Sequence, residues 1–172
     1  YAGTVGVSHG LEELLESSKQ FNFPVNIIFV IIGNGAVHQN LKSKYRDSSS
    51  NILVLDSVSQ EEIGDYLSMF DACLVSLKNI EPYDKVIPSK LFESIAYETP
   101  VIAGLRGESC DLVNSYKVGE VFHPENAERF FKQLSKLISN LKQDKNYYKP
   151  GILKAKKDFS RNMQAQNILD TL

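Results

Sequence analysis

The sequence predicts an α/β protein: a Rossmann-like doubly wound parallel sheet with helices on both faces and a helical C-terminus. Short apolar runs rich in β-branched residues alternate with amphipathic stretches along most of the 172 residues. This alternation is typical of a parallel sheet that helices cover. Right-handed crossovers then predict about five or six strands in the order 3-2-1-4-5-6, or a truncation of it.

The composition is that of one folded domain. Hydrophobic residues make up 42% and charged residues 23% of the chain, which allows a core of ordinary size. Nineteen basic and 21 acidic residues give a net charge of −2, so the charge balance gives no reason to expect a nucleic acid partner. Cys73 and Cys110 lie outside any CxxC motif and are expected to be buried free thiols of a reducing cytosol.

Two strands are predicted in the first third of the chain. The sequence begins at Tyr1 in what resembles the end of a strand, so we expect a first element that is cut short and a chain that is a piece of a longer protein. Residues 25–32 form a β-rich run that ends at the turn Gly33-Asn34-Gly35, which predicts a strand. Residues 51–55 predict a second, short strand.

The middle of the chain continues the alternation. Ser59-Gln60-Glu61-Glu62 fits the S-x-x-E capping box, which predicts a helix over residues 60–70. The apolar residues 72–77 predict the next strand. A proline, which is tolerated in a first helical turn, opens the next predicted helix over residues 88–97. Residues 100–103 predict the strand that follows.

The last third is mainly helical. A short helix is predicted near residues 109–114 and a fifth strand at 119–122. Apolar residues then recur at helical spacing and form one stripe: Ala127, Phe130, Phe131, Leu134, Leu137, Ile138 and Leu141. The polar, basic residues 142–157 predict a loosely packed surface helix or loop. Ser160 is placed to cap a last helix over residues 160–172, which we expect to pack away from the core.

Ligands of open parallel sheets bind beyond the carboxyl ends of the strands. In this chain that rule places five loops around one crevice, namely those after Gly3, Gly33, Leu55, Leu77 and Ala103. The helix predicted at residue 88 begins at this edge, where its free N–H groups and dipole favour a phosphate.

Two charged side chains suit the same ligand. Lys90 adds a positive charge at the first turn of the helix, and Glu93 lies one turn further along. A carboxylate accepts two hydroxyl donors at once, as the diol of a ribose requires. The alternative interpretation is a surface lysine and a solvated helix glutamate.

The segment Pro88-Ser89-Lys90-Leu91-Phe92-Glu93 resembles the donor-site motif of GT-B glycosyltransferases of the family-4 type. The similarity extends over most of the chain and includes the glycine-rich loop that opens the family's donor domain, its strand and G-x-G turn, its A-D-hydrophobic strand and its closing pattern. The corresponding segments here are residues 1–6, 29–35, 70–77, 107–113 and 119–124.

The resemblance implies roles for individual positions. Glu93 corresponds to the second glutamate of the family's E-x7-E motif, which holds the ribose hydroxyls. The amides of Ser89 and Lys90 correspond to the cradle of the diphosphate. Val58 falls where backbone groups meet the nucleobase, and Gly6 falls in the loop that lets the backbone approach the donor.

The chain also departs from the family pattern. Lys85 stands where the first glutamate of E-x7-E is expected, which leaves the role of that glutamate without a candidate. Many relatives carry an arginine and a lysine in the first loop, where this chain has Thr4 and His9. We therefore expect Lys90, together with Lys85, to replace the missing positive charge, and we keep His9 as a candidate donor-binding residue beside the interpretation of an ordinary loop histidine.

The function implied by the resemblance is donor binding in a retaining glycosyltransferase. Residues 1–172 would form a single C-terminal domain that binds a nucleotide-diphosphate sugar, whereas the acceptor would bind to a missing N-terminal domain of the same protein. The chain alone is then expected to be inactive. Such transfer depends on positioning and on stabilising the leaving diphosphate, and no cofactor or metal is expected because cationic side chains and a helix N-terminus can stabilise that group. His38 and His123 lack partners at metal spacing and are assigned no metal role.

The family often makes bacterial surface polysaccharides, so a saccharide or lipid-linked acceptor and a cytoplasmic location are expected, with peripheral association at the inner membrane face as an option. Two other functions stay open. A nucleotide-sugar epimerase of GT-B fold would need acidic and basic residues that the sequence does not show, and a non-catalytic nucleotide-binding module would share the fold. Base, sugar, acceptor and oligomeric state are not encoded in a recognisable motif.

Overall fold

The computed structural model describes residues 1–18, 27–46 and 51–169. Within them, the five strands are β1 (Phe29–Ile32), β2 (Ile52–Leu55), β3 (Cys73–Ser76), β4 (Val101–Gly104) and β5 (Gly119–Phe122). The α-helices are α1 (Leu11–Ser18), α2 (His38–Lys44), α3 (Gln60–Met69), α4 (Ser89–Ala96), α5 (Gly107–Tyr116), α6 (Ala127–Gln143), α7 (Lys149–Asp158) and α8 (Arg161–Leu169). The predicted alternation is therefore confirmed.

All strand pairs are parallel, and they form two groups. β1 pairs with β2, and a parallel bridge from Ala2 to Ile32 adds residues 1–3 to this group. The second group has the order β3-β4-β5. If residues 1–3 are counted as the first strand, the two groups reproduce the halves 3-2-1 and 4-5-6 of the predicted order.

The centre of the sheet differs from the prediction of one continuous sheet. Among the described residues, no backbone hydrogen bond joins residues 1–3 to β3. Instead, the two groups meet through buried side chains, because Ala2 packs with Cys73 and with Leu67 of α3. The interruption leaves the first residues of the chain between the two groups, beside the start of α4.

Helices cover both faces. α4 and α5 each pack against α7, and α1 packs against α6. The buried side chains between these layers and the strands are apolar, and Leu11, Ile31, Val75 and Phe130 are among those that are almost fully buried. The capping box is present as predicted, because Ser59 Oγ accepts a hydrogen bond from the Glu62 amide, and the Glu62 carboxylate accepts one from the Ser59 amide.

The boundaries of the predicted elements shift by a few residues. The strand expected over 25–32 covers only Phe29–Ile32, and residues 25 and 26 lie outside the described part of the chain. The short helix expected over 109–114 is longer and runs from Gly107 to Tyr116. Cys110 is half-buried rather than buried, because it lies on a face of α5 that borders a cavity.

The prediction for residues 142–157 was wrong. α7 is a regular helix whose residues Ile152 and Ala155 are buried, and the preceding Tyr148 donates a buried hydrogen bond to Glu120 Oε1 at 2.9 Å. The ring of Phe159, just after α7, also packs against Phe92 of α4 and Tyr116 of α5, so the segment is held against both helices although lysines dominate its composition.

The last helix follows the prediction in its described part. Ser160 Oγ accepts a hydrogen bond from the Met163 amide at 3.3 Å, and the described side chains of α8 at positions 162–165 and 169 are exposed. Residues 170–172 of the predicted helix lie outside the described residues. No helix in the described part of the chain is long and apolar enough to cross a bilayer.

Candidate functional site

The Gly33-Asn34-Gly35 turn holds the first residues of the chain against β1. A Cβ on Gly33 would lie 1.8 Å from the Gly3 carbonyl oxygen, and one on Gly35 would lie 2.5 Å from that of Val5. Both glycines have positive φ angles, +152° and +154°, which other residues rarely adopt. The Val5 amide donates to the Asn34 carbonyl at 2.9 Å. The turn thus fixes the path of residues 3–5 along the carboxyl edge of the strands.

The loop that follows ends in a one-turn 3-10 helix over Val7–His9. The Gly6 amide donates to His9 Nδ1 at 3.2 Å, and the His9 ring meets the Tyr1 ring edge-on with 5.7 Å between centroids. Burial lowers the pKa of His9, and the nearby positive charge of Lys90 lowers it further, whereas the hydrogen bond with Gly6 raises it. His9 therefore carries its proton on Nε2 and offers one neutral N–H donor.

The first turn of α4 leaves backbone N–H groups free at this edge. Pro88 precedes the helix in an extended conformation and provides no side-chain cap, so the amides of Ser89 and Lys90 have no capping partner. Ser89 is exposed and Lys90 is half-buried. A helix start of this kind favours an anion through its free donors and its dipole.

Lys90 extends from α4 over the first loop. Its Nζ lies 5.2 Å from the centroid of the Tyr1 ring, a distance at which an ammonium is attracted to the ring face. Its Cε lies 3.1 Å from the position that a Cβ on Gly3 would occupy. Burial lowers the pKa of Lys90, whereas the negative charge of Glu93 raises it.

Glu93 is exposed and lies next to this group. Burial raises the pKa of the Tyr1 hydroxyl and of the Cys73 thiol, and the charge of Glu93 raises both further. The carboxylate thus lies one helical turn from Lys90 on α4 and within electrostatic range of Tyr1 and Cys73. Contacts join Gly6 to His9, His9 to Tyr1, and Tyr1 to Lys90, which lies beside Ser89 and one turn before Glu93 on α4. That these residues bind a donor stays a prediction.

Val58 lies further along the same edge. It is half-buried in the segment between β2 and α3. β2 is parallel to β1, and the Gly33 amide donates to the Leu55 carbonyl at 3.3 Å, so the loop after β2 begins beside the glycine turn. Val58 is therefore placed two strands away from residues 1–3, on the side expected for the nucleobase.

Lys85 is less well placed than Lys90. It ends a 3-10 helix over Glu81–Lys85, is exposed, and has no ion pair within the described residues. Its neighbour Asp84 instead binds Arg106, with 3.1 Å between Oδ2 and Nη2. The structure thus shows no contact that would make Lys85 a partner of Lys90.

Tyr1 is the site residue that the sequence analysis missed. Its ring lies beneath Lys90 and beside His9, and its hydroxyl donates to the Thr4 carbonyl. The sequence carries no signal for this role, because an aromatic residue before Ala-Gly is equally compatible with a core position.

No group of three or more metal-ligating side chains occurs in residues 1–18, 27–46 and 51–169. His38 is buried and its Nε2 donates to the Leu55 carbonyl at 3.0 Å, whereas His123 Nδ1 lies 2.8 Å from the Pro124 carbonyl. Each ring thus has one backbone contact, and the buried Nδ1 of His38 has no hydrogen-bond partner among the described residues.

Comparison with known proteins gives one family. The family model described as glycosyl transferases group 1 matches residues 1–154. No curated protein gives a significant match.

Several solved structures share the fold. The catalytic domain of a cholesterol-α-glucosyltransferase from Helicobacter pylori has a TM-score of 0.68 at 13% identity, over 93% of this chain and 99% of that one. Anabaena HepE, solved in complex with UDP, has a TM-score of 0.75 at 15% identity, over 99% of this chain and 48% of that one. The lipopolysaccharide outer core galactosyltransferase WaaB, in its apo form, has a TM-score of 0.69 at 16% identity, over 99% of this chain and 49% of that one. The chain thus spans about half the length of HepE and WaaB.

Proposed function

This chain belongs to the group 1 glycosyl transferase family, and we propose that it forms the donor domain of a retaining glycosyltransferase that binds a nucleotide-diphosphate sugar. The observation that carries the proposal is the meeting of three features at one edge of the sheet. They are the uncapped first turn of α4, the Lys90 side chain and the glycine-rich loop of residues 3–6.

The diphosphate is assigned to the space in front of α4. The amides of Ser89 and Lys90 provide donors, the helix dipole adds partial positive charge, and the Lys90 ammonium adds a full charge. Gly6 has no side chain to hinder an approach to the backbone. His9 contributes its neutral Nε2–H, so Lys90 is the one cation among the residues assigned to the diphosphate, where many relatives have an arginine–lysine pair.

The nucleoside is assigned to Glu93 and Val58. The exposed carboxylate of Glu93 can accept hydrogen bonds from both hydroxyls of a ribose, and it lies one turn along α4 from the proposed diphosphate position. The loop that carries Val58 then offers backbone groups to the base. HepE, a protein of similar fold, was solved in complex with UDP, which supports a nucleotide as the ligand.

The chemistry proposed for this domain is stabilisation of the leaving group. Transfer with retention releases a nucleoside diphosphate, and the developing charge on that group would be met by Lys90 and by the first turn of α4. We propose no metal or cofactor for this step, because helix donors and a cation can hold the diphosphate. The donor sugar itself has no assigned carboxylate, since Lys85 stands where a glutamate was expected.

The acceptor is proposed to bind to a further domain of the whole protein. Structures of similar fold include a lipopolysaccharide outer core galactosyltransferase, of which this chain covers 49%. We propose a saccharide or lipid-linked acceptor, synthesis of a surface polysaccharide, and a cytoplasmic protein that associates peripherally with the membrane. We further propose that this domain alone does not transfer sugar.

A calorimetric titration of the chain against UDP-, GDP- and ADP-sugars tests the proposal. We expect one of these nucleotide sugars to bind, and the corresponding free monosaccharide to give no heat at the same concentration. Equal heats for the nucleotide sugar and the free monosaccharide, or no binding of any nucleotide sugar, would contradict donor binding. Conversion of a bound donor to its epimer would favour the epimerase instead.

A further inference from the structure

A cavity separate from the candidate donor site lies between α5 and α6 at the outer strand of the β3-β4-β5 group. Its volume is about 410 Å³, within the range of about 300–1,000 Å³ that small-molecule sites occupy. Leu105, Val121 and Phe122 form its apolar floor. Its polar rim consists of Arg106, Cys110, Asn114, His123, Arg129 and Gln133.

The two helices present these polar residues because of their spacing. Gly107, Cys110 and Asn114 recur three and four residues apart, so they share one face of α5. Arg129 and Gln133 are four apart on α6. Gly107 has a φ of +57°, and a Cβ there would lie 2.0 Å from the Asp84 carbonyl oxygen. Only glycine permits this approach, which fixes the start of α5 at the mouth of the cavity.

The rim carries two guanidinium groups, of which that of Arg106 is paired with a carboxylate outside the lining. Arg106 contacts Asp84 and Asn79, which orients its guanidinium while leaving it further N–H donors. Arg129 is exposed and has no ion pair in the described part of the chain. Two guanidinium groups in one cavity match the planar, bidentate recognition of a carboxylate or a phosphate.

One side chain in the cavity has an unused hydrogen-bonding group. Gln133 Oε1 is buried and has no hydrogen-bond partner among the described residues. Buried polar atoms are paired in the great majority of native structures, so this amide has the capacity for a further hydrogen bond, from a water molecule or from a ligand. A carboxamide pairs readily with a hydroxyl, and the Asn114 amide lies on the same rim.

We propose that this cavity binds an acidic sugar, that is, a monosaccharide unit that carries a phosphate or a carboxylate. Its anionic group would contact Arg106 and Arg129, its hydroxyls would contact Gln133 and Asn114, and the less polar face of its ring would lie on the apolar floor. The cavity shares none of the individual residues assigned to the donor, although Leu105 and Arg106 belong to the loop after β4 that the sequence analysis places at the donor crevice.

Alkylation of Cys110 provides a binding assay that needs no enzymatic activity. Its thiol is half-buried at the rim of the cavity, whereas Cys73 is buried elsewhere and lies on a different peptide. A maleimide reaction followed by peptide mass spectrometry therefore reports occupancy of the cavity. Glucose 6-phosphate and glucuronate represent the two sources of negative charge, and glucose and inorganic phosphate represent the separate halves of the ligand.

We expect one of the two acidic sugars to slow labelling of Cys110 by about tenfold at a concentration of about ten times its Kd. Glucose and inorganic phosphate at that concentration should give little protection. Arg129→Ala should abolish the protection. Lys132→Ala, which removes an exposed cation from the same helix outside the cavity, should retain it. A thermal melt of both variants checks folding.

Three results would overturn the assignment. They are no protection by either acidic sugar, equal protection by inorganic phosphate, and equal loss in the Arg129→Ala and Lys132→Ala variants. If Arg129→Ala lowers the melting temperature, Arg129→Lys supplies the same test, because it keeps the charge but loses the bidentate geometry. A separate titration with UDP tests the donor site. A failed assignment of this cavity is therefore distinguishable from a failed assignment of the donor site.

Discussion

The side chain of Lys90 crosses Gly3, so that its Cε and Nζ lie 3.1 Å and 3.3 Å from the place where a Cβ on Gly3 would sit. This relationship joins the first turn of α4 to the first loop of the chain. It puts a cation between the glycine-rich first loop and the first turn of α4, which has no side-chain cap, and it is the structural basis for the proposed diphosphate position.

Replacing Lys90 by methionine keeps much of the apolar stem and removes the charge. Because the ammonium would contact the diphosphate directly, we expect the affinity for a nucleoside diphosphate to fall about tenfold, or ~1.4 kcal/mol, and to depend less on salt. Calorimetric titrations at two salt concentrations measure both effects. Lys85→Met is the matched control, and an equal loss in this control would show that only the overall charge matters.

Gly33 and Gly6, which lie at the carboxyl edge of the strands, have different roles, and two alanine variants distinguish these roles. Gly33→Ala places a Cβ 1.8 Å from the Gly3 carbonyl oxygen at a positive φ, so chemical denaturation should show a loss of about 2–4 kcal/mol. Gly6→Ala meets nothing closer than His9 Nδ1 at 3.4 Å, and its stability should change little while nucleotide affinity falls. Equal stability of the Gly33→Ala variant and the parent chain would contradict the described turn.

His9 should make folding sensitive to weakly acidic pH. Its pKa in the folded protein is lowered from 6.5, chiefly by burial, so below that pH the unfolded chain binds a proton that the folded chain does not. The free energy of unfolding therefore decreases as the pH falls below 6.5 and is fully restored above it.

A His9→Gln variant should lose that part of the pH dependence, whereas His123→Gln, which replaces an exposed histidine, should retain it. Urea denaturation at several pH values between about 5 and 8 measures the difference. Parallel pH profiles for the parent chain and His9→Gln would show that another group causes the dependence.

Tyr148 tests whether α7 belongs to the core. Its hydroxyl donates to Glu120 and accepts from Asn140 at 2.8 Å in a buried network. Tyr148→Phe leaves Glu120 with one donor fewer, so we expect a loss of about 1–3 kcal/mol in the free energy of unfolding. Tyr147→Phe changes a neighbouring exposed ring and should be neutral. A neutral Tyr148→Phe variant would mean that the segment is loosely packed after all.

Local signals explain what could be predicted from the sequence. The capping box at Ser59 and the proline at position 88 act within one helical turn, and both helices begin where these residues indicate. α1 carried a readable signal that was overlooked, since Leu11, Leu14 and Leu15 are buried at helical spacing. α2 carried a weaker one, with Leu41 as its main apolar residue.

Contacts between distant segments could not be predicted in this way. That Lys90 lies over Gly3 and the Tyr1 ring depends on which strands are neighbours and on where the sheet is interrupted. At the interruption Ala2 packs with Cys73, a contact that no periodicity reveals. The cavity between α5 and α6 likewise arises from two helices that lie far apart in sequence.

The assignment of Glu93 to the donor ribose is the central claim, and titration of Glu93→Gln with UDP and GDP tests it most directly. Glutamine preserves the size and the helix propensity of glutamate but loses the charged acceptor, so affinity for the preferred nucleotide should fall about tenfold or more, ~1.4 kcal/mol. Glu61→Gln, at the exposed start of α3, should leave affinity unchanged, and thermal melts should match. Equal affinity of Glu93→Gln and the parent chain, with folding unchanged, would show that Glu93 is a surface glutamate and that the site is wrongly placed.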